Sequence, residues 1–245
     1  MKIEAVVFDM DGVLIDAKDW HYHALNQALG YFGYAISRAD HLSSYDGLPT
    51  RRKLEMLTLE RGLPRGLHGF LNDLKQQYTV DQVFLNCKPI FVHEYALSNL
   101  KAMGYKLGLG SNSIRSSVEL MMQKSNLDAY LDVMLSNEDV ERAKPHPDIY
   151  LKAADMLGVD PAACLVVEDN PNGVKAAEAA GCPLLVVQSV HDVQLDRILG
   201  AIRAVEAKGA ETAVGTAAGT AASTAVNTAA RAAAEPAART AGGAR

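Results

Sequence analysis

Two aspartates, Asp9 and Asp11, follow the apolar run Val6, Val7, Phe8 with one residue between them, and Gly12 comes next. Such a run gains stability when buried as a strand, but paired carboxylates at its end repel each other unless a positive charge sits among them. Other stretches carry matching chemistry. "KLGLGSNS" ends in Ser111 and Asn112, "CLVVEDN" ends in Glu168 and Asp169, and "RAKPHPD" supplies Lys144. Singly, each has a plain reading as a turn residue, helix cap or solvated charge. Together, Asp9, Asp11, Glu168 and Asp169 form a set of hard oxygen donors that suits Mg2+ better than zinc or copper.

Mg2+ keeps water ligands and bridges protein carboxylates to substrate phosphate, so a phosphate ester is the expected substrate. A carboxylate neutralised in this way can attack phosphorus to give an aspartyl phosphate, splitting one hard displacement into two easier ones. Asp11, beside it, can protonate the leaving oxygen and then take the proton from attacking water. Lys144 can pair with both the nucleophile and the phosphoryl oxygens. Ser111, followed by Asn112, precedes the "SSVELMM" helix, so its hydroxyl and nearby amides can hold the phosphoryl group at a helix N-terminus.

The elements that position these residues follow from hydrophobic periodicity. Short buried runs, "IEAVVF", "KLGLGS", "DVMLS", "CLVVED" and "PLLVVQ", alternate with amphipathic stretches of helical length, which predicts an α/β fold with a Rossmann-like parallel sheet flanked by helices. Ligands bind beyond the carboxyl ends of such strands, where all these polar residues fall. Gly104, Gly158 and Gly181 sit where left-handed helix caps are expected. From Ala17 to Cys87 only helical patterns occur, which reads as an all-helical insert. The expected organisation is a discontinuous core over 1–16 and 88–208, a helical cap domain over 17–87, and an Ala/Thr/Gly tail over 209–245 without apolar anchors. Within the insert Thr50 is read as a helix N-cap, and Asp16, just before the insert, as a cap or packing residue.

Composition bounds the rest. The 245 residues are 49% hydrophobic, enough for a real core, and the net charge of −5 offers no basic stripe for nucleic acid. Cys87, Cys164 and Cys182 are odd in number and widely spaced, so the expected setting is reducing and cytoplasmic. No run reaches the length of a membrane span. The expected partner is a small phosphorylated metabolite, with no nucleic acid, membrane or obligate protein partner indicated.

The ordered motifs "FDMDGVLID", "GSNS", "AKPHPDIY" and "VVEDNPNGVKAA" resemble those of the haloacid dehalogenase-like hydrolase superfamily, from Met1 to about Val187. The resemblance implies that Asp9 is the nucleophile and a metal ligand, and that Asp11 is the general acid/base and offers its backbone carbonyl to the metal. It also implies that Ser111 and Lys144 bind the phosphoryl group, and that Asp169 and Glu168 complete the Mg2+ site. The helical insert looks like the caps of β-phosphoglucomutase-like and phosphoglycolate-phosphatase-like members. His21 falls at the position of a cap-hinge histidine. "GLPTRRKL" looks like a substrate-reading cap loop, with Thr50 where the mutase has its phosphate-binding arginine and Arg51 and Arg52 following. These residues imply a phosphatase acting on a small metabolite, such as a sugar phosphate. A sugar phosphomutase and a non-catalytic binding module remain as alternatives.

Overall fold

The structure, a computed structural model, describes residues 2–210; the expected tail falls outside the described residues from 211 onward. Five strands, β1 (Ala5–Phe8), β2 (Lys106–Gly110), β3 (Val133–Leu135), β4 (Cys164–Glu168) and β5 (Leu184–Val186), form one parallel sheet in the order β3-β2-β1-β4-β5. Its central strands are apolar on both faces because both faces are covered. Val6 and Phe8 join Leu107, Leu109, Leu165 and Val167 in one core, while Ala5 and Val7 face Ile149, Ala153 and Leu157 in the other. This division is the two-residue period of a pleated strand.

Between β1 and β2 lies the helical insert, with α1 (Lys18–Gly30), α2 (Arg38–Asp40), α3 (Thr50–Arg61) and α4 (His68–Asn86). A π-helical turn, His41–Tyr45, continues α2. Leu25, Leu29, Ile36, Tyr45, Leu54, Leu57 and Leu71 give the insert a core of its own. The chain then alternates helix and strand through α5 (Phe91–Ala102), α6 (Arg115–Lys124), α7 (Asp148–Leu157) and α8 (Pro171–Ala180). Gly158 and Gly181 end α7 and α8 in the left-handed conformation, as the pattern predicts.

Two local expectations are corrected. Pro49, not Thr50, is the N-cap of α3: its fixed φ suits the entry to a helix, and Thr50 becomes the first helical residue. Asp16 is exposed and caps nothing, because α1 starts one residue later behind Ala17. A further helix over 195–210 packs Ile198 and Ile202 into the core. Among the described residues no helix is long and apolar enough to cross a membrane.

Candidate active site

Strand register delivers the site. Phe8 pairs with both Leu109 and Val167, so Asp9, Ser111 and Glu168 emerge together at the carboxyl edge of the three central strands. A cavity of about 890 Å³ separates this edge from the insert; Asp9, Asp11, Lys144 and Glu168 line one side, and Lys53 and Lys75 the other. The insert is tied down over it. Asn112 Nδ2 donates to the Gly47 carbonyl at 2.8 Å, and Asn170 Nδ2 donates to Asp46 at 3.2 Å.

Lys144 is the buried hub. Its Nζ donates to Asp9 Oδ1 at 2.6 Å and to Glu168 Oε1 at 2.7 Å. Burial opposes its charge, but Asp9 and Glu168 outweigh that and hold it above the ordinary lysine value. Asp9 is pushed well up by burial and by Glu168, with Lys144 opposing. One ammonium, that of Lys144, thus faces two buried carboxylates.

The oxygens of Asp9, Glu168 and Asp169 lie within 4.8 Å of one another. Glu168 is already engaged: Oε1 also accepts from the Tyr150 hydroxyl at 2.8 Å, and Oε2 accepts the backbone N–H of Asp169 and Asn170. Asp169 is the reverse. Its side chain is 1% exposed and Lys18 Nζ lies 2.5 Å from Oδ2, yet neither oxygen accepts a well-aligned hydrogen bond. A buried carboxylate left in that state, within an all-oxygen set short of positive charge, fits a hard divalent cation. Gly12 makes the approach possible: its φ is +98°, and a Cβ there would collide with Asp169 Oδ2. The Asp-x-Asp-Gly spacing thus has a steric cause.

Asp11 points away from that cluster. Its Oδ1 lies 3.2 Å from His21 Nε2, and its Oδ2 accepts from the Ser113 hydroxyl at 2.9 Å. Burial would raise this carboxyl, but His21, Ser113 and Lys75 together hold it below the ordinary value. His21 Nδ1 in turn sits 3.1 Å from Lys75 Nζ. Burial, and then Lys75, depress the imidazole, so at neutral pH it is uncharged and hydrogen-bonded on both sides.

The other expected residues divide. Asn112 lines the cavity and its Oδ1 accepts the Lys144 amide at 3.1 Å. Ser111 is fully buried and its hydroxyl accepts the Ser113 amide at 3.0 Å, so Ser113 is the hydroxyl lining the cavity. Arg51 and Arg52 stand at the cavity rim with side chains 89% and 60% exposed, both within ion-pair range of Glu55. Sequence reasoning missed Lys75, Lys53, Lys18 and Tyr150. Lys75 left a signal: Leu71, Lys75, Thr79 and Val83 form a four-residue repeat on the buried face of α4, where a lysine is out of place.

A family model described as haloacid dehalogenase-like hydrolase matches residues 6–187. A phosphorylated carbohydrates phosphatase of Thermotoga maritima is 30% identical over 207 residues, covering 83% of this chain and 94% of that protein. A pyrophosphatase PpaX of Bacillus cereus is 30% identical over 193 residues, covering 74% of this chain and 81% of that one. The solved structure of β-phosphoglucomutase from Clostridium difficile shares the fold, with a TM-score of 0.71 at 23% identity over 82% of this chain and 97% of that one.

Proposed function

Because the chain belongs to the haloacid dehalogenase-like hydrolase family, we propose that this phosphoric monoester hydrolase is an Mg2+-dependent phosphatase of a small phosphorylated metabolite, such as a sugar phosphate. The observation that carries the reading is the Lys144 ammonium between Asp9 and Glu168, with the buried Asp169 carboxylate, paired with Lys18, beside them. Asp9 and Asp169, with Glu168 behind them and the Asp11 backbone carbonyl, would hold the cation. When bound, it supplies positive charge that keeps Asp9 ionised and draws in the phosphate.

Asp9 then attacks phosphorus, forming an aspartyl phosphate and expelling the alcohol. Asp11 is the proton carrier: protonated in the substrate complex, it gives its proton to the leaving oxygen, and once ionised, the form its His21 and Ser113 contacts favour, it accepts one from water. Lys144, Asn112 and the Ser111–Ser113 turn hold the phosphoryl oxygens. Glu168 fixes Lys144 through a charge-assisted hydrogen bond of 2.7 Å. We assign residues 17–87 to the cap, whose closure excludes bulk water from the intermediate. A phosphatase needs only water as its second acceptor, and the exposure of Arg51 and Arg52 favours it over a mutase.

The test is a turnover screen of the purified chain over phosphorylated metabolites with and without Mg2+. Release of phosphate that requires the cation supports the reading; absence of any phosphate release defeats it.

A further inference from the structure

Phosphoryl transfer at Asp9 leaves the opposite wall of the cavity without a role. There Lys53, from the first turn of α3, and Lys75, from the middle of α4, are only 7% and 6% exposed. Among the described residues neither ammonium has a carboxylate within ion-pair range; the one polar contact between them is that of Lys75 with His21. A buried ammonium without a counter-ion is expensive, and an apolar side chain of similar length would fill the same space without that cost.

Their surroundings confirm the imbalance. Burial lowers Lys53 to about 8, with Asp46 and Asp11 opposing, and burial and the charge of Lys53 lower Lys75 to about 7. His41 nearby is lowered to about 4 by burial and by Lys53, so it adds no charge at neutral pH. Arg51 and Arg52 of the same helix turn to Glu55 at the rim. Two mutually repelling cations thus face the space that the substrate body must fill, and the Asp11–His21–Lys75 chain sets Lys75 one imidazole away from the proton carrier.

We propose that Lys53 and Lys75 form a second anion subsite, so that the substrate is a small phosphate ester bearing another anionic group, either a phosphate or a carboxylate. This rests on Asp9 as the site of phosphoryl transfer. The ester phosphate occupies the sheet edge, and the second anion supplies the counter-charge that the lysines lack. Because the lysines are desolvated beforehand, the anion gains more there than at a solvated lysine.

The experiment compares matched pairs on the full chain with Mg2+: fructose 1,6-bisphosphate against fructose 6-phosphate, and 3-phosphoglycerate against glycerol 3-phosphate. The expected result is a kcat/KM about tenfold or more higher for the doubly anionic member of at least one pair, with that ratio lost in Lys53→Met and Lys75→Met mainly through KM. The pair that shows the preference distinguishes phosphate from carboxylate. Lys53→Gln serves as a polar counterpart should the methionine variant fold poorly. Calorimetric binding of the same pairs to Asp9→Asn reads the subsite without turnover. Equal kcat/KM within both pairs, equal affinity within both pairs, or a preference that survives in the variants overturns the subsite. Lack of turnover of p-nitrophenyl phosphate by the wild type, with the binding preference intact, overturns the phosphatase reading and leaves the subsite standing.

Discussion

His21 Nε2 lies 3.2 Å from Asp11 Oδ1, so the second aspartate of the strand end is bonded to the first helix of the insert. On the proposed mechanism, proton transfer and placement of the insert are therefore coupled through one contact. Asp11→Asn should slow turnover by roughly a hundredfold or more, as loss of a positioned proton carrier does. His21→Ala should cost less and act most on substrates with poor leaving groups. Steady-state rates across aryl phosphates of graded leaving-group pKa check both; a uniform loss would assign the contact a structural role.

Lys144 pairs with two buried carboxylates at once, and Lys144→Met leaves Asp9 and Glu168 facing each other. Breaking a buried ion pair from one side costs about 3–5 kcal/mol. The variant should melt well below the wild type without divalent cation and recover part of the difference when Mg2+ is added. Thermal melts in both conditions decide it. Equal melting of variant and wild type would mean that the carboxylates are already protonated.

Lys75 and Lys53 predict a pH dependence of stability. Their folded values, about 7 and about 8, lie below the ordinary value of 10.5. The unfolded chain therefore binds more protons between these values, and stability rises with pH from about 7 towards 10.5. Below about 7 both states are protonated and the penalty is constant. Lys75→Met should raise the melting temperature at pH 7 and flatten the rise. Urea titrations at stepped pH measure this, and a slope unchanged by the substitution would contradict it.

Lys18 competes for the carboxylate expected to hold the cation, since its Nζ is 2.5 Å from Asp169 Oδ2 and 3.9 Å from Asp46. Lys18→Met should tighten Mg2+ binding several-fold by removing that rival charge. Calorimetric titration with Mg2+ reads it directly. Weaker binding in the variant would show that Lys18 orders Asp169 rather than competing for it.

The polar edge of the sheet was legible because strand ends in a parallel sheet point one way. The polar residues Asp9, Glu168 and Asp169 therefore converge once β1 and β4 lie side by side, while the Asp11 side chain turns to His21 and Ser113. The insert was legible as helices, because Leu25, Leu29, Leu54, Leu57 and Leu71 keep the helical period. Periodicity does not carry which polar side chain turns inward. Arg51, Arg52 and Lys53 are adjacent cations on one turn, yet the first two are exposed and the third is buried. Ser111 and Ser113 exchange prominence for a similar reason: the end of β2 buries the first, and the following turn aims the second at Asp11. Contacts between helices of the insert, such as Lys75 on α4 with His21 on α1, join residues 54 positions apart and leave no local trace.

The central claim is that phosphate passes through Asp9. Quenching the enzyme in acid during turnover of p-nitrophenyl phosphate with Mg2+, followed by peptide mass spectrometry, measures this directly. The account predicts a hydroxylamine-labile phosphoryl group on Asp9 that is absent from Asp9→Asn, together with loss of turnover in that variant. A phosphoryl group on another residue, or full turnover by Asp9→Asn, would contradict it.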